Sequence, residues 1–166
     1  YLEEAALHDE RDGITGIVES IDIRGTVSLM QKLHPDMARL LVINDQSTTG
    51  IANTKRVMAE LSPSIFQRID IEFTPTMKMT ELQRELTKLH RNTVILLMTF
   101  NRGQKNDTFS YKESIAQIAR FAQNPIYGLW DFYLGKGIVG GMLTSGWEQG
   151  RQAARVGEKI LSGTSP

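Results

Sequence analysis

The sequence contains no cysteine, so disulfide bridges, thiol nucleophiles and cysteine-based metal sites are all excluded. It also has no excess of one charge, because 19 basic residues balance 19 acidic ones. No run of like charge stands out, so the chain offers no electrostatic footprint for a phosphate backbone or an anionic membrane surface. We therefore expect no nucleic-acid partner.

Long apolar runs are missing as well. The longest, VILLM at 94–98, is far too short to cross a bilayer, so we expect no membrane span within this segment. The sequence has no initiating Met and no leader of basic then apolar residues, which is typical of a segment excised from a longer protein. Its 166 residues and 40% hydrophobic content suit a single compact domain over residues 1–166.

Short β-rich apolar runs alternate with helical patterns along the chain. The runs at 40–43 and 93–98 are almost wholly apolar, as in strands buried on both faces of a parallel sheet. Capping-box pairs predict where three helices begin: Thr80 with Gln83, Ser110 with Glu113, and Ser145 with Glu148.

The elements predicted in this way alternate regularly. We predict strands at 14–18, 39–44, 67–73, 93–98, 125–129 and 137–143, and helices at 23–33, 50–61, 80–90, 111–123 and 146–161. Repeated strand and helix units favour right-handed crossovers. The fold class expected is therefore α/β, a doubly wound and mostly parallel open sheet with helices on both faces.

In such a sheet, ligands bind outside the carboxyl ends of the strands, where loops meet helix N-termini. Segments 44–50, 99–102 and 130–133 follow predicted strands and carry polar or aromatic side chains. The candidate ligand-binding residues in them are Asn44, Asp45, Thr49, Phe100, Asn101, Trp130, Asp131 and Phe132. Rings would supply apolar contact, amides and carboxylates would fix orientation, and backbone donors at the start of helix 50–61 could receive a carboxylate.

A literal G-x-G-x-x-G runs from Gly135 to Gly140. A dinucleotide-binding turn follows a strand and opens a helix, whereas these glycines precede apparent strand residues and the next helix is capped only at Ser145. We reject the nucleotide interpretation. A turn followed by a strand that another backbone approaches closely is the alternative.

No pattern in the sequence indicates catalysis or metal binding. Asp45 resembles the acceptor of a phosphate-accepting receiver domain, but the paired acid and the Asp expected after the central strand are both missing. A turn or cap role for Asp45, and core packing for Trp130 and Phe132, remain alternatives. Three scattered histidines share no metal spacing, and no G-x-S-x-G is present. We expect a binding module without catalytic residues, metal or cofactor.

Several segments together resemble the type I periplasmic-binding-protein-like family of ABC transporter substrate-binding proteins. They are ITGI at 14–17, LHPD at 33–36, VINDQSTTG at 42–50, and the run at 125–150. The most specific parts are 44–50, YGLWDFYLGKGIVGG at 127–141 and SGWEQG at 145–150. The resemblance spans residues 14–166 and is closest to the version fused to bacterial sensor histidine kinases as an extracytoplasmic input domain.

The resemblance implies two α/β lobes that close on a small solute. Residues 14–143 would form the second lobe, and 144–166 would form a helix that normally packs on the first. Uncovered apolar positions on that helix, Ala153, Val156, Ile160 and Leu161, favour a homodimer.

The expected function is an extracytoplasmic sensor domain of a membrane-anchored histidine kinase, at the periplasmic side of a bacterial inner membrane. The solute would be a small organic molecule such as an amino acid or an aromatic acid. The alternatives are the substrate-binding component of an ABC transporter and a dimerisation module that binds no ligand.

Overall fold

The computed structural model describes residues 13–61, 69–104 and 107–165. Internal contacts divide the chain into two compact units. The larger unit, Ile21–Leu143, contains the sheet and the candidate site, and the smaller one comprises the segments on either side of it. The assignment of these segments to lobes remains a prediction.

All five helices expected from the sequence are present, and four of the six expected strands are. In chain order the elements are α1 (Ile23–Leu33), β1 (Arg39–Ile43), α2 (Thr48–Glu60), β2 (Asp70–Phe73), α3 (Met79–Leu86), β3 (Thr93–Leu97), α4 (Tyr111–Phe121), β4 (Ile126–Gly128) and α5 (Gly146–Leu161). A 3₁₀ turn, Asp131–Tyr133, follows β4.

The sheet confirms the predicted fold class. Its strands run parallel in the order β2-β1-β3-β4, so β1 and β3 occupy the centre. Every residue of β3 and all but the first residue of β1 are buried, as expected for strands covered on both faces. The chain leaves β1 towards one edge and later returns through β3 towards the other, so the strand order reverses between them.

The helices of the larger unit cover the sheet in two pairs. Helix α1 packs against α2, and α3 packs against α4. Right-handed crossovers place these pairs on opposite faces. Their apolar stripes and the central strands form one core, in which the largest fully buried side chains include Ile23, Met30, Leu82, Leu86 and Ile95. Burying each such side chain contributes roughly 1.5–3 kcal/mol relative to leaving it in water.

The helix starts test the predicted capping boxes. Ser110 and Glu113 form one, in which the Ser110 hydroxyl and then its backbone N–H lower the pKa of the Glu113 carboxyl. The Ser145 hydroxyl accepts from the Glu148 N–H, as predicted. The prediction for Thr80 was wrong, because α3 begins one residue earlier and its N-cap residue, Lys78, donates its N–H to Glu81 instead.

The predicted strand at 14–18 was wrong. These residues adopt no regular secondary structure, and the side chains of Ile14 and Val18 are exposed. Strand character depends on a hydrogen-bonded neighbour, and within the described ranges no strand pairs with this segment. An apolar pattern alone therefore did not make a strand here.

The predicted strand at 137–143 was also wrong, although the segment does run beside β4. The Val139 N–H donates to Ile126 O at 2.7 Å and the Gly128 N–H donates to Gly140 O at 3.0 Å. Only one bridge forms, between Tyr127 and Gly140. Glycines with positive φ, at 137, 140 and 141, interrupt the regular extended backbone that a longer ladder requires.

The smaller unit contains α5. Its helix is capped by Ser145, and the Glu148–Arg151 ion pair at 2.6 Å supports its first turns. No residue of α5 is buried, and the side chains of Trp147 and Leu161 are 75% and 91% exposed. The two segments of the smaller unit are joined by a hydrogen bond, in which the Thr144 hydroxyl donates to Ser20 O at 2.8 Å.

Gly141 gives a test of the close approach beside β4. A β-carbon at this position would collide with the Gly128 carbonyl oxygen, whereas one at Gly140, which has a similar φ, would meet nothing. We expect Gly141→Ala to lower the free energy of unfolding by about 2 kcal/mol more than Gly140→Ala, as for overpacking of a buried contact. Urea denaturation of both variants measures the difference. Equal losses of unfolding free energy would show that Gly141 does not pack closely against the Gly128 carbonyl oxygen of β4.

Candidate functional site

The segments selected from the sequence meet at one edge of the sheet. Because all four strands are parallel and Ile43, Leu97 and Gly128 lie in register across β1, β3 and β4, the loops that follow them share the carboxyl edge. The loops after β1 and β3 lie side by side where the strand order reverses. This is the position at which open α/β sheets bind ligands.

Asp45 joins these two central loops. One carboxylate oxygen, Oδ1, accepts from the Ser47 N–H at 3.0 Å and from the Ser47 hydroxyl at 2.5 Å. The other, Oδ2, accepts from the backbone N–H groups of Asn101 at 2.7 Å and Arg102 at 3.2 Å. The side chain is buried, so these bonds compensate the loss of water around its charge.

Asn44 ties four segments together from a buried position. Its Nδ2 donates to Gly50 O at 2.5 Å and Thr54 Oγ1 at 2.9 Å, and its Oδ1 accepts from the Thr99 hydroxyl at 2.9 Å. Its backbone N–H donates to Thr74 Oγ1 at 3.0 Å, and its carbonyl accepts from the same hydroxyl at 2.9 Å. The Asn44 amide is thus fully engaged inside the protein.

The start of α2 is pressed against this network. Ser47 caps the helix, and its hydroxyl accepts from the Gly50 N–H at 3.1 Å. A β-carbon at Gly50 would collide with the backbone oxygen of Asp45, so glycine permits the helix to approach the loop. The first turn of α2 is therefore fixed beside the Asp45 carboxylate.

An open depression of ≈ 180 Å³ lies over these loops. Its lining combines the loop after β1, the start of α2, the loop after β3 and the start of α4: Asp45, Ser47, Thr49, Thr99, Asn101, Arg102 and Tyr111. The side chains are mostly polar, and Tyr111 supplies a ring. The depression lies entirely within the larger unit.

An aromatic cluster adjoins the depression. The rings of Tyr111 and Phe132 lie 4.7 Å apart between centroids, and the Phe132 ring contacts those of Tyr133 at 4.6 Å and Trp130 at 6.0 Å. Trp130 and Tyr133 are buried, whereas Tyr111 and Phe132 are 45% and 37% exposed. The cluster thus has an inner pair that supports an outer pair open to solvent.

Tyr133 holds the cluster in place from below. Its hydroxyl donates to Met98 O at 3.2 Å, just beyond β3. Burial raises the pKa of the Tyr133 phenol, and Tyr111 and Asp45 raise it further, so it acts as a neutral donor. The turn after β4 is thereby attached to the centre of the sheet.

The structure divides the predicted residues by position. Asp45, Thr49 and Asn101 line the depression. Asn44, Phe100 and Trp130 are buried around it. Phe132 reaches it through the ring of Tyr111, and Asp131 is half-buried on the same turn without lining it. Their roles in ligand binding remain predictions.

Sequence reasoning missed four residues of the depression. Ser47, Thr99 and Arg102 belong to segments that were selected, but their side chains were not chosen. Tyr111 was not selected at all, although the capping box at Ser110 marks it as the first residue of a helix that begins near the carboxyl edge. That helix start was the signal that could have found it.

The described parts of the chain offer no other obvious chemistry. No group of three histidine, aspartate or glutamate side chains there is placed to hold a metal ion. Among the same residues, no helix combines the length and apolar character needed to span a bilayer.

Comparison with known proteins gives one family and one fold. The family model described as ABC transporter substrate binding protein matches residues 6–166. The chain is similar to the solved structure titled a conserved domain protein from Vibrio cholerae O1 biovar El Tor str. N16961, with a TM-score of 0.55 and 16% identity. The match covers 84% of this chain and 45% of that one, so the chain spans less than half of the similar structure. No curated protein matches.

Asp45→Asn tests the link between the two loops. The change removes the charge and replaces one acceptor oxygen by a donor, which leaves at least one of the loop donors without a partner. We expect the free energy of unfolding to fall by about 2 kcal/mol, in the range found for hydrogen bonds to charged groups. Urea denaturation at neutral pH measures the loss.

Asp36→Asn is the matched control, because Asp36 is exposed and its side chain has no hydrogen bond or ion pair with any residue that the structure describes. It should change stability by less than about 0.5 kcal/mol. Equal effects of the two substitutions would show that Asp45 does not hold the loops together.

Proposed function

The chain belongs to the ABC transporter substrate binding protein family, and we propose that its larger unit is one lobe of a solute-binding protein that holds a small organic solute at the carboxyl edge of its sheet. The observation that carries this proposal is the convergence there of a polar depression with two partly exposed rings. Pockets for small molecules combine apolar surface with a few polar groups in this way.

The size of the depression supports a shared site. Pockets for small molecules commonly enclose about 300–1,000 Å³, whereas this depression measures ≈ 180 Å³ and is open. A second lobe closing over it would complete the enclosure and exclude water. The part of the similar structure that this chain does not cover is large enough to supply such a lobe.

The candidate residues then fall into two roles. Thr49, Asn101 and Phe132 would contact the solute, with Asp131 at the margin of the aromatic turn. Asn44, Asp45, Phe100 and Trp130 would act as positioning residues, since their side chains are buried and Asn44 and Asp45 are hydrogen-bonded within the protein. Tyr111 joins the first group because its ring lines the depression.

The proposed biological role is that of an extracytoplasmic module that senses or captures an amino acid or aromatic acid. In the sensor version, the module is the periplasmic input domain of a membrane-anchored histidine kinase, and lobe closure on the solute shifts an open-to-closed equilibrium that the kinase reads. In the transporter version, the same closure delivers the solute for uptake. The site is identical in both.

Tyr111→Ala tests the ligand site. Calorimetry of the chain with a panel of amino acids and aromatic acids should find binding to aromatic members, and loss of the Tyr111 ring should weaken it about tenfold. An aromatic contact contributes about 0.5–1.5 kcal/mol beyond its buried area, which accounts for a change of this size.

Trp147→Ala is the control, because it removes an exposed ring from the other unit. It should leave the affinity unchanged. The proposal fails if no member of the panel binds, or if both substitutions weaken binding equally.

A second candidate function is homodimerisation through α5, which needs no solute. The observation that favours it is that α5 has no buried residue and exposes Trp147 and Leu161. An exposed apolar helix face of this kind is typical of an interaction surface.

Light scattering at high micromolar concentration tests this second candidate. We expect a dimer for the unmodified chain and a monomer for Leu161→Lys, because a charge in an apolar interface is costly to desolvate. Met58→Lys, an exposed position on α2, is the control and should remain dimeric. A monomer for the unmodified chain would exclude the dimer.

A further inference from the structure

The two charged side chains that line the depression differ in how many of their hydrogen-bonding atoms are already used within the protein. Asp45 and Arg102 are its only lining residues that carry a full charge. Both Asp45 oxygens are occupied, each by two donors. A ligand ammonium group approaching this carboxylate would have to displace bonds that hold the loops together. Asp45 is therefore a poor receptor for a cation.

The guanidinium of Arg102, in contrast to the Asp45 carboxylate, makes no hydrogen bond within the described residues. The backbone of Arg102 is fixed, because its N–H donates to Asp45 Oδ2 at 3.2 Å and the residue forms an antiparallel bridge with Thr108. Its side chain, however, has no hydrogen bond or ion pair within the described residues. The backbone hydrogen bonds therefore fix the position of Arg102 at the edge of the depression, while the N–H donors of its guanidinium remain available to a ligand.

The other polar groups of the depression do not offset this cation. Ser47, Thr49 and Thr99 carry hydroxyls, and Asn101 carries an amide whose Nδ2 donates to Phe109 O at 2.9 Å. None of them is acidic. Asp131, the acidic residue of the aromatic turn, does not line the depression. The one charge free to act on a solute is positive.

On these grounds, and resting on the proposed solute-binding function, we infer that this lobe selects solutes by a carboxylate and that Arg102 is the residue that recognises it. The planar guanidinium can donate two parallel hydrogen bonds to a carboxylate. The ring of the solute would pack on Tyr111, which lines the same depression. The lobe would therefore bind the acidic end of an aromatic acid and would give no counter-charge to an amine.

Three probes that share a benzene ring separate these possibilities: phenylacetate, phenylacetamide and phenethylamine. Their affinities for the ¹⁵N-labelled chain can be measured from amide chemical shifts at millimolar concentrations, which suits a site enclosed on one side only. We expect phenylacetate to bind about tenfold more tightly than phenylacetamide, and phenethylamine to bind most weakly. The modest factor reflects the solvent exposure of Arg102.

Substitution of Arg102 tests whether it causes the preference. Arg102→Gln should weaken the binding of phenylacetate about tenfold, so that phenylacetate and phenylacetamide bind with equal affinity. Arg102→Lys should keep part of the preference, since a point charge remains but the paired geometry is lost. Arg91→Gln, which removes an equal charge two residues before β3 at the amino edge, should keep all of it.

The outcomes distinguish this inference from the function on which it rests. If the probes bind but Arg102→Gln retains the preference, or if phenethylamine binds best, the inference is wrong and the solute-binding function stands. If none of the probes shifts the amides of residues 44–50 or 99–102 in the unmodified chain, both are overturned. Loss of the preference in Arg102→Gln alone supports the inference.

Discussion

The buried carboxylate of Asp45 is the constraint on which the site depends. It accepts hydrogen bonds from the loop that follows β1 and from the loop that follows β3, at the point where the strand order reverses. A reversal of this kind separates neighbouring connections and leaves a crevice. Here the Asp45 carboxylate spans the crevice, and backbone N–H groups and a hydroxyl donate hydrogen bonds that compensate its charge. The depression therefore lies over two loops that this carboxylate joins.

The contents of that depression follow from the same arrangement. Because Asp45 and Asn44 are satisfied by the protein, in part by the Ser47 and Thr99 hydroxyls, the groups left for a solute are the Thr49 hydroxyl, the exposed rings of Tyr111 and Phe132, and the guanidinium of Arg102. The fold thus separates the residues that build the site from those that face outward. In the proposed function, this open surface is the contribution of one lobe, and a second lobe would supply the cover.

The fold could be predicted to a large extent from sequence. Buried parallel strands are apolar on both faces, and helix starts carry cap residues, so TVILLM at 93–98 and Ser110 with Glu113 located β3 and α4 directly. The two predicted strands that failed, 14–18 and 137–143, had the residue pattern but not a continuous hydrogen-bonded ladder, since 137–143 forms a bridge to β4 at Gly140 and 14–18 pairs with no described strand. A strand requires a hydrogen-bonded neighbouring strand. The glycines at 137, 140 and 141 also adopt positive φ angles that the residue pattern did not specify.

For the site, sequence determined which loops would meet, because parallel strands present their carboxyl ends at one edge. It did not determine which side chains in those loops face outward. Asn44, Phe100 and Trp130 were expected in contact with a solute and are buried, while Arg102 and Tyr111 line the depression. Residue type records the chemistry that a side chain can perform. Only the tertiary structure decided which donors and acceptors were already used, because two of the four hydrogen bonds to Asp45 come from residues more than fifty positions away.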